Sequence, residues 1–162
     1  MSNILNVFLL YYYKKLIMKT TIDISERLTE LMNEKVINNK ELAEILGVSP
    51  HTVGIWKKGR NNMRLPQFIA IADYFNCSLD FLAGRSETVI DFIPKKCPPF
   101  YERLREILKR NNITKYRVNA DTKIKSSHFV DWKNGAEPQI HSLIELADYL
   151  DISLDYLLGR DR

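Results

Sequence analysis

A chain of 162 residues has room for one average domain or two small ones, and 45% apolar with 27% charged residues places it among ordinary soluble globular proteins. A net charge of +4 is too modest to identify a partner by itself, so what matters is where the charge lies. Three scattered histidines, no glycine-rich phosphate loop and no paired acid-base constellation leave nothing to run a reaction, so no enzyme is expected, and two cysteines, Cys77 and Cys97, offer neither metal-ligand spacing nor a disulfide framework.

The chain begins with an apolar and aromatic run, Ile4 to Tyr13, broken only by Asn6 and followed by Lys14 and Lys15. It is too short to span a bilayer and lacks the layout of a secretory signal. Three readings stand: translation that starts at Met18, an extra helix that packs or self-associates, and an interfacial anchor. Next, Leu28, Leu31 and Met32 at helical spacing predict a helix from about Ser25 to Val36, capped by Asp23 or Ser25.

The stretch Asn38 to Arg60 predicts two short helices joined by a tight turn at Gly47, Val48 and Ser49. Asn38 with Glu41 three residues later makes a capping box, and Leu42, Ala43, Ile45 and Leu46 are expected on or near the buried face. Gly47 supplies the positive φ of a sharp helix exit. Ser49 caps the second helix, with Pro50 in its first turn and Val53 and Trp56 as its apolar stripe. The other face, with Ser49, Pro50, His51 and Ile55, is left for a partner, and Lys57, Lys58 and Arg60 end the helix in positive charge.

Two further helices follow, Leu65 to Phe75 with Leu65, Phe68, Ile69, Ala72 and Phe75 inward, and Leu79 to Ala83, capped by Ser78 and stopped by Gly84. Asn39 to Ala43, Leu46 to Ser49, Val53, Trp56 and Gly59, then Ile71 to Phe75 and Ser78 to Gly84, together resemble the Cro/phage-repressor helix-turn-helix family across roughly Ser25 to Arg85. The resemblance implies an all-α, lambda-repressor-like domain of five helices that enters the DNA major groove.

The pattern then repeats. Glu102-Arg103-Leu104 answers Glu26-Arg27-Leu28 and Trp132 answers Trp56 at an offset of 76, while Ser153 to Arg160 answers Ser78 to Arg85 at an offset of 75. The expected organisation is an apolar extension over 1–18, a first helix-turn-helix domain over 19–85, a linker over 86–98 and a second domain over 99–162. With only two residues after the second copy, no sensing or catalytic domain is expected. The linker carries Val89, Ile90, Phe92 and Ile93, which predicts that it docks on one or both units, and its prolines stiffen the end that leads into the sixth helix.

By the resemblance, base readers fall on Ser49, Pro50, His51 and Ile55 in the first copy and on Lys125, Ser126, Ser127 and Asp131 in the second. The family's phosphate contact falls on Asn39 and Lys115. Lys40 and Thr52 complete the interface of the first copy, and Lys57, Lys58, Arg60, Lys123, His128 and Lys133 are expected to hold the DNA backbone without reading sequence. Trp56 and Trp132 at this spacing are core residues. The second copy departs from the family in having Lys123 where the turn glycine stands and Asn119 in place of a small alanine, so its turn is either strained or built differently. The first copy has Gly54 within its second helix, a cost of roughly 1 kcal/mol relative to alanine.

The predicted partner is double-stranded DNA, bound by a homodimer or by a pseudo-dimer within one chain, in the cytoplasm, with no cofactor, metal, membrane or small-molecule ligand. Seven basic residues against two acidic from Lys109 to Lys133 support this, as do five against two from Lys40 to Arg64. The expected role is a sequence-specific transcriptional regulator, a repressor, of bacterial or phage origin. A protein-interaction module, antitoxin-like or anti-repressor, is the competing reading. It draws on the stretch Asn134 to Leu157, with five acidic residues and no lysine or arginine.

Overall fold

The computed structural model describes residues 23–60 and 63–161, and the apolar run at Ile4 to Tyr13 lies outside them. The described residues form ten helices. In the first half these are α1 (Ile24–Glu34), α2 (Asn39–Leu46), α3 (Pro50–Lys57), α4 (Leu65–Phe75) and α5 (Leu79–Leu82). In the second half they are α6 (Phe100–Arg110), α7 (Lys115–Asp121), α8 (Ser126–Lys133), α9 (Ile140–Leu150) and α10 (Leu154–Leu158). The fold is all-α in two tandem five-helix units.

Local chemistry sets most boundaries. The Asn38 side chain accepts from the backbone N–H of Lys40 and Glu41, and Glu41 returns a bond to the Asn38 N–H, so α2 starts with both halves of a capping box. Ser49, Ser78, Thr114 and Ser153 cap α3, α5, α7 and α10 through their hydroxyls. Helix α1 ends two residues earlier than its sequence pattern suggests. Val36 adopts φ 54 there, and the Ile37 N–H reaches back to Met32 O at 3.0 Å, closing a Schellman turn. The same turn closes α6, with Asn112 at φ 53.

Each unit buries one apolar stripe per helix. Leu28, Leu31, Met32, Leu42, Ala43, Val53, Trp56, Phe68, Ile71, Ala72, Leu79 and Leu82 form the first core. Leu104, Ile107, Val118, Phe129, Trp132, Leu143, Leu146, Leu154 and Leu157 form the second. Both tryptophans are core residues. Two expectations need correction. Ile45 is 48% exposed, because α2 turns only Leu42 and Ala43 fully inward. In α4 the buried position is Ile71, while Ile69 is half-buried, since the stripe of Leu65, Phe68, Ala72 and Phe75 is centred nearer residue 71.

The linker docks, though largely through its backbone. The Val89 carbonyl accepts from the Ser78 N–H, the Thr88 carbonyl accepts from Ser78 Oγ, and the Lys95 N–H donates to Arg160 O at 2.8 Å. Of its apolar side chains, Ile90 and Phe92 are half-buried and Ile93 is 85% exposed.

The two units meet through α5 and α10, and the contacts are reciprocal. The Leu79 N–H donates to Asp155 Oδ2 at 2.8 Å, and the Leu154 N–H donates to Asp80 Oδ2 at 2.7 Å. Arg160 donates to Asp155 in its own unit, and to Asp73 (2.8 Å) and Cys77 O (3.1 Å) across the seam. Arg85 repeats this with Asp80, Asp148 (2.7 Å) and Ile152 O (3.4 Å). Every one of these pairs has its counterpart 75 residues away. Such self-complementarity is the mark of a two-fold contact. Cys77 lies in this seam, where burial pushes its thiol up to about 12 and keeps it protonated.

Candidate nucleic-acid interface

In the first half, Ser49 Oγ accepts from the Thr52 N–H at 3.1 Å, and its hydroxyl also pairs with Thr52 Oγ1 at 2.8 Å. Thr52 is therefore used as part of the cap that starts α3. Behind it, Val53 and Trp56 anchor α3 in the core. Ser49, Pro50, His51, Lys58 and Arg60 stand exposed, and Ile55 and Lys57 are half-buried. At the head of α2, Lys40 is exposed and Asn39 half-buried, facing Gly54 across the motif.

In the second half, Lys123, Lys125, Ser126, Ser127, Asp131 and Lys133 are exposed. Phe129 and Trp132 anchor α8, and Phe100 packs edge-on against Trp132 with 5.1 Å between ring centroids. Two residues expected on the DNA backbone also have structural duties. His128 Nδ1 accepts from the Lys125 N–H at 2.8 Å and its ring stacks on Trp132, so the imidazole caps α8. Lys115 Nζ donates to Tyr101 OH at 2.5 Å, with the Tyr101 and Phe129 rings within 4.8 and 5.8 Å. Neither duty hides the residue completely.

The motif turn differs between the halves. Gly47 takes φ 65 as expected, and Val48 N donates to Ala43 O at 3.0 Å. Lys123 is not in the left-handed region. Helix α7 ends at Asp121, Thr122 is extended at φ −133, and side chains hold the bend. Asn119 Nδ2 donates to Ile124 O at 3.1 Å, which explains an amide where the first half has Ala43. The second turn is thus built differently, without glycine. Thr122 is a residue that sequence reasoning missed, its only signal being a hydroxyl at the C-terminal end of a short helix.

The acidic stretch in the second half is mostly spent within the chain. Glu137 pairs with Arg64 at 3.0 Å, Glu145 accepts from the Lys123 N–H, Asp148 pairs with Arg85, and Asp155 with Arg160. Among the described residues no cluster of His, Cys, Asp or Glu could hold a metal, and no helix is long and apolar enough to cross a membrane.

Two helices braced from behind, a capped second helix with its polar face free, and cations around it define a tandem helix-turn-helix protein. The family model of the Cro/C1-type helix-turn-helix DNA-binding domain matches residues 27–84 and again residues 103–161. The chain belongs to this family, in two copies. Among solved structures it is similar to the P22 c2 repressor protein in complex with synthetic operator 9T, at 21% identity over 41% of this chain and 100% of that one, with a TM-score of 0.39. It is also similar to a transcriptional regulator from Listeria innocua, at 23% identity over 71% of this chain and 100% of that one, with a TM-score of 0.38. No curated protein matches it.

Proposed function

We propose that the chain is a sequence-specific repressor in which one copy of the chain suffices for one site. It binds duplex DNA as a pseudo-dimer, with α3 and α8 in successive major grooves about 34 Å apart. The reciprocal contact between α5 and α10 carries this reading. A two-fold contact turns the second unit by half a revolution relative to the first, so the two half-sites should run in opposite directions. The readers differ: Ser49, Pro50, His51 and Ile55 face Lys125, Ser126, Ser127 and Asp131 as counterparts. An inverted site with unlike halves follows. Lys40, Lys57, Lys58, Arg60, Lys115, Lys123 and Lys133 supply the charge that sets affinity and its fall with salt, and Asn39 adds a neutral hydrogen bond to phosphate. Two cysteines, one of them sealed in the seam, suit a reducing cytoplasm.

Selection from random duplexes, followed by footprinting and sedimentation of the complex, tests this. The expected result is one chain per site, two protected grooves on one face, and oppositely oriented half-sites of different sequence. Two chains per site, identical half-sites, or half-sites in the same direction would overturn it.

A further inference from the structure

The second half holds its motif turn by a route the first half does not have. Thr122 Oγ1 donates to Val118 O at 2.6 Å and accepts from the Ile124 N–H at 3.0 Å, and the Lys123 N–H donates to Glu145 Oε1 at 2.5 Å. One turn further along α9, Tyr149 OH donates to Asp121 Oδ2 at 2.9 Å. Glu145 and Tyr149 are four residues apart, hence on one face of α9, and that face grips both the last residue of α7 and the first residue of the approach to α8. In the first half the corresponding residues are Ala70 and Tyr74. Alanine has no acceptor, and Tyr74 lies against the Lys35 ammonium at 4.5 Å instead. There the turn is set by Gly47 at φ 65 and by the Val48 N–H bond to Ala43 O.

We propose that Glu145 and Tyr149 are positioning residues for the second recognition helix, α8. They fix the turn to α9 and so set the tilt at which α8 presents Ser126, Ser127 and Asp131. A glycine turn has its geometry fixed by its own backbone, whereas this one has it fixed by a neighbouring helix. Sequence preference in the second half-site therefore depends on residues that touch no DNA. The inference rests on the reading of α8 as a recognition helix.

The test uses the full chain and duplex libraries randomised in one half-site at a time. Glu145→Ala should flatten base preference in the second half-site by roughly three- to ten-fold, as loss of one well-placed hydrogen bond implies. Preference in the first half-site should stay as in wild type. Glu145→Gln should retain the preference, because its amide oxygen accepts the same N–H, and Tyr149→Phe should lose part of it with the ring packing kept. Unchanged preference in both Glu145→Ala and Tyr149→Phe would overturn the proposal. So would equal losses in both half-sites, which a merely structural role would give. A wild-type chain that reads only the first half-site would overturn it together with the reading on which it rests.

Discussion

Val36 shows how far a single residue can sit from its own preference. It closes α1 at φ 54, 88% exposed, in a conformation that a β-branched side chain adopts at a cost of about 1–2 kcal/mol. Asn112, at the same place in the second half, takes φ 53 with a residue that tolerates it. Val36→Asn should therefore stabilise the chain by about 1 kcal/mol, read as a rise in Tm of about 2–4 °C. No rise would mean that the left-handed backbone at Val36 carries no strain for asparagine to relieve. The sequence does not reveal this strain, because a valine after a helical stripe reads as one more apolar turn. The same limit hid Ile45, which matches the α2 pattern but lies beyond the narrow stripe the core accepts.

At the scale of elements, much of the molecule was legible because the signals are local. The Asn38 capping box, the Ser49-Pro50 start of α3 and the Gly47 exit each act within four residues, and each stands where the pattern put it. The second motif was not legible in the same way, since its turn is held by Glu145 from another helix and no local rule reports a partner 22 residues away. Helix α3 offers a direct check on what is local. Gly54 lies mid-helix, and a Cβ there would meet only Asn39 Nδ2, at an ordinary 3.6 Å. The second half has Val130 at this position, 56% exposed. Gly54→Ala should add about 1 kcal/mol of stability by removing backbone freedom from the unfolded chain. Thermal unfolding measures it, and a loss instead of a gain would show that Asn39 cannot yield to the added methyl.

For the whole molecule, the repeat was visible in the sequence but the pairing of its copies was not. Asp73, Asp80 and Arg85 recur as Asp148, Asp155 and Arg160, yet nothing in either copy says that they bond across to each other rather than to solvent or another chain. Once paired, they link the two small cores through buried ion pairs, and the two halves should unfold as one unit. Arg160 is only 1% exposed, and it serves Asp155, Asp73 and the Cys77 carbonyl at once. Arg160→Met keeps much of the volume but strands the Asp155 carboxylate, itself 1% exposed, without its cation. Breaking one side of such a buried pair costs about 3–5 kcal/mol. Arg85→Met should cost less, because the Arg85 side chain is 12% exposed and water can reach the carboxylates it leaves. Urea unfolding of chains that keep only Trp56 or only Trp132 can follow the halves separately. In the parent chain both tryptophans should report one midpoint, because neither half can unfold without exposing the seam of the other. Arg160→Met should lower that midpoint and pull the two reports apart. If it leaves them coincident at the parent midpoint, the buried Arg–Asp lattice does not couple the halves, and the spacing of α3 and α8 must be set by the docked linker instead.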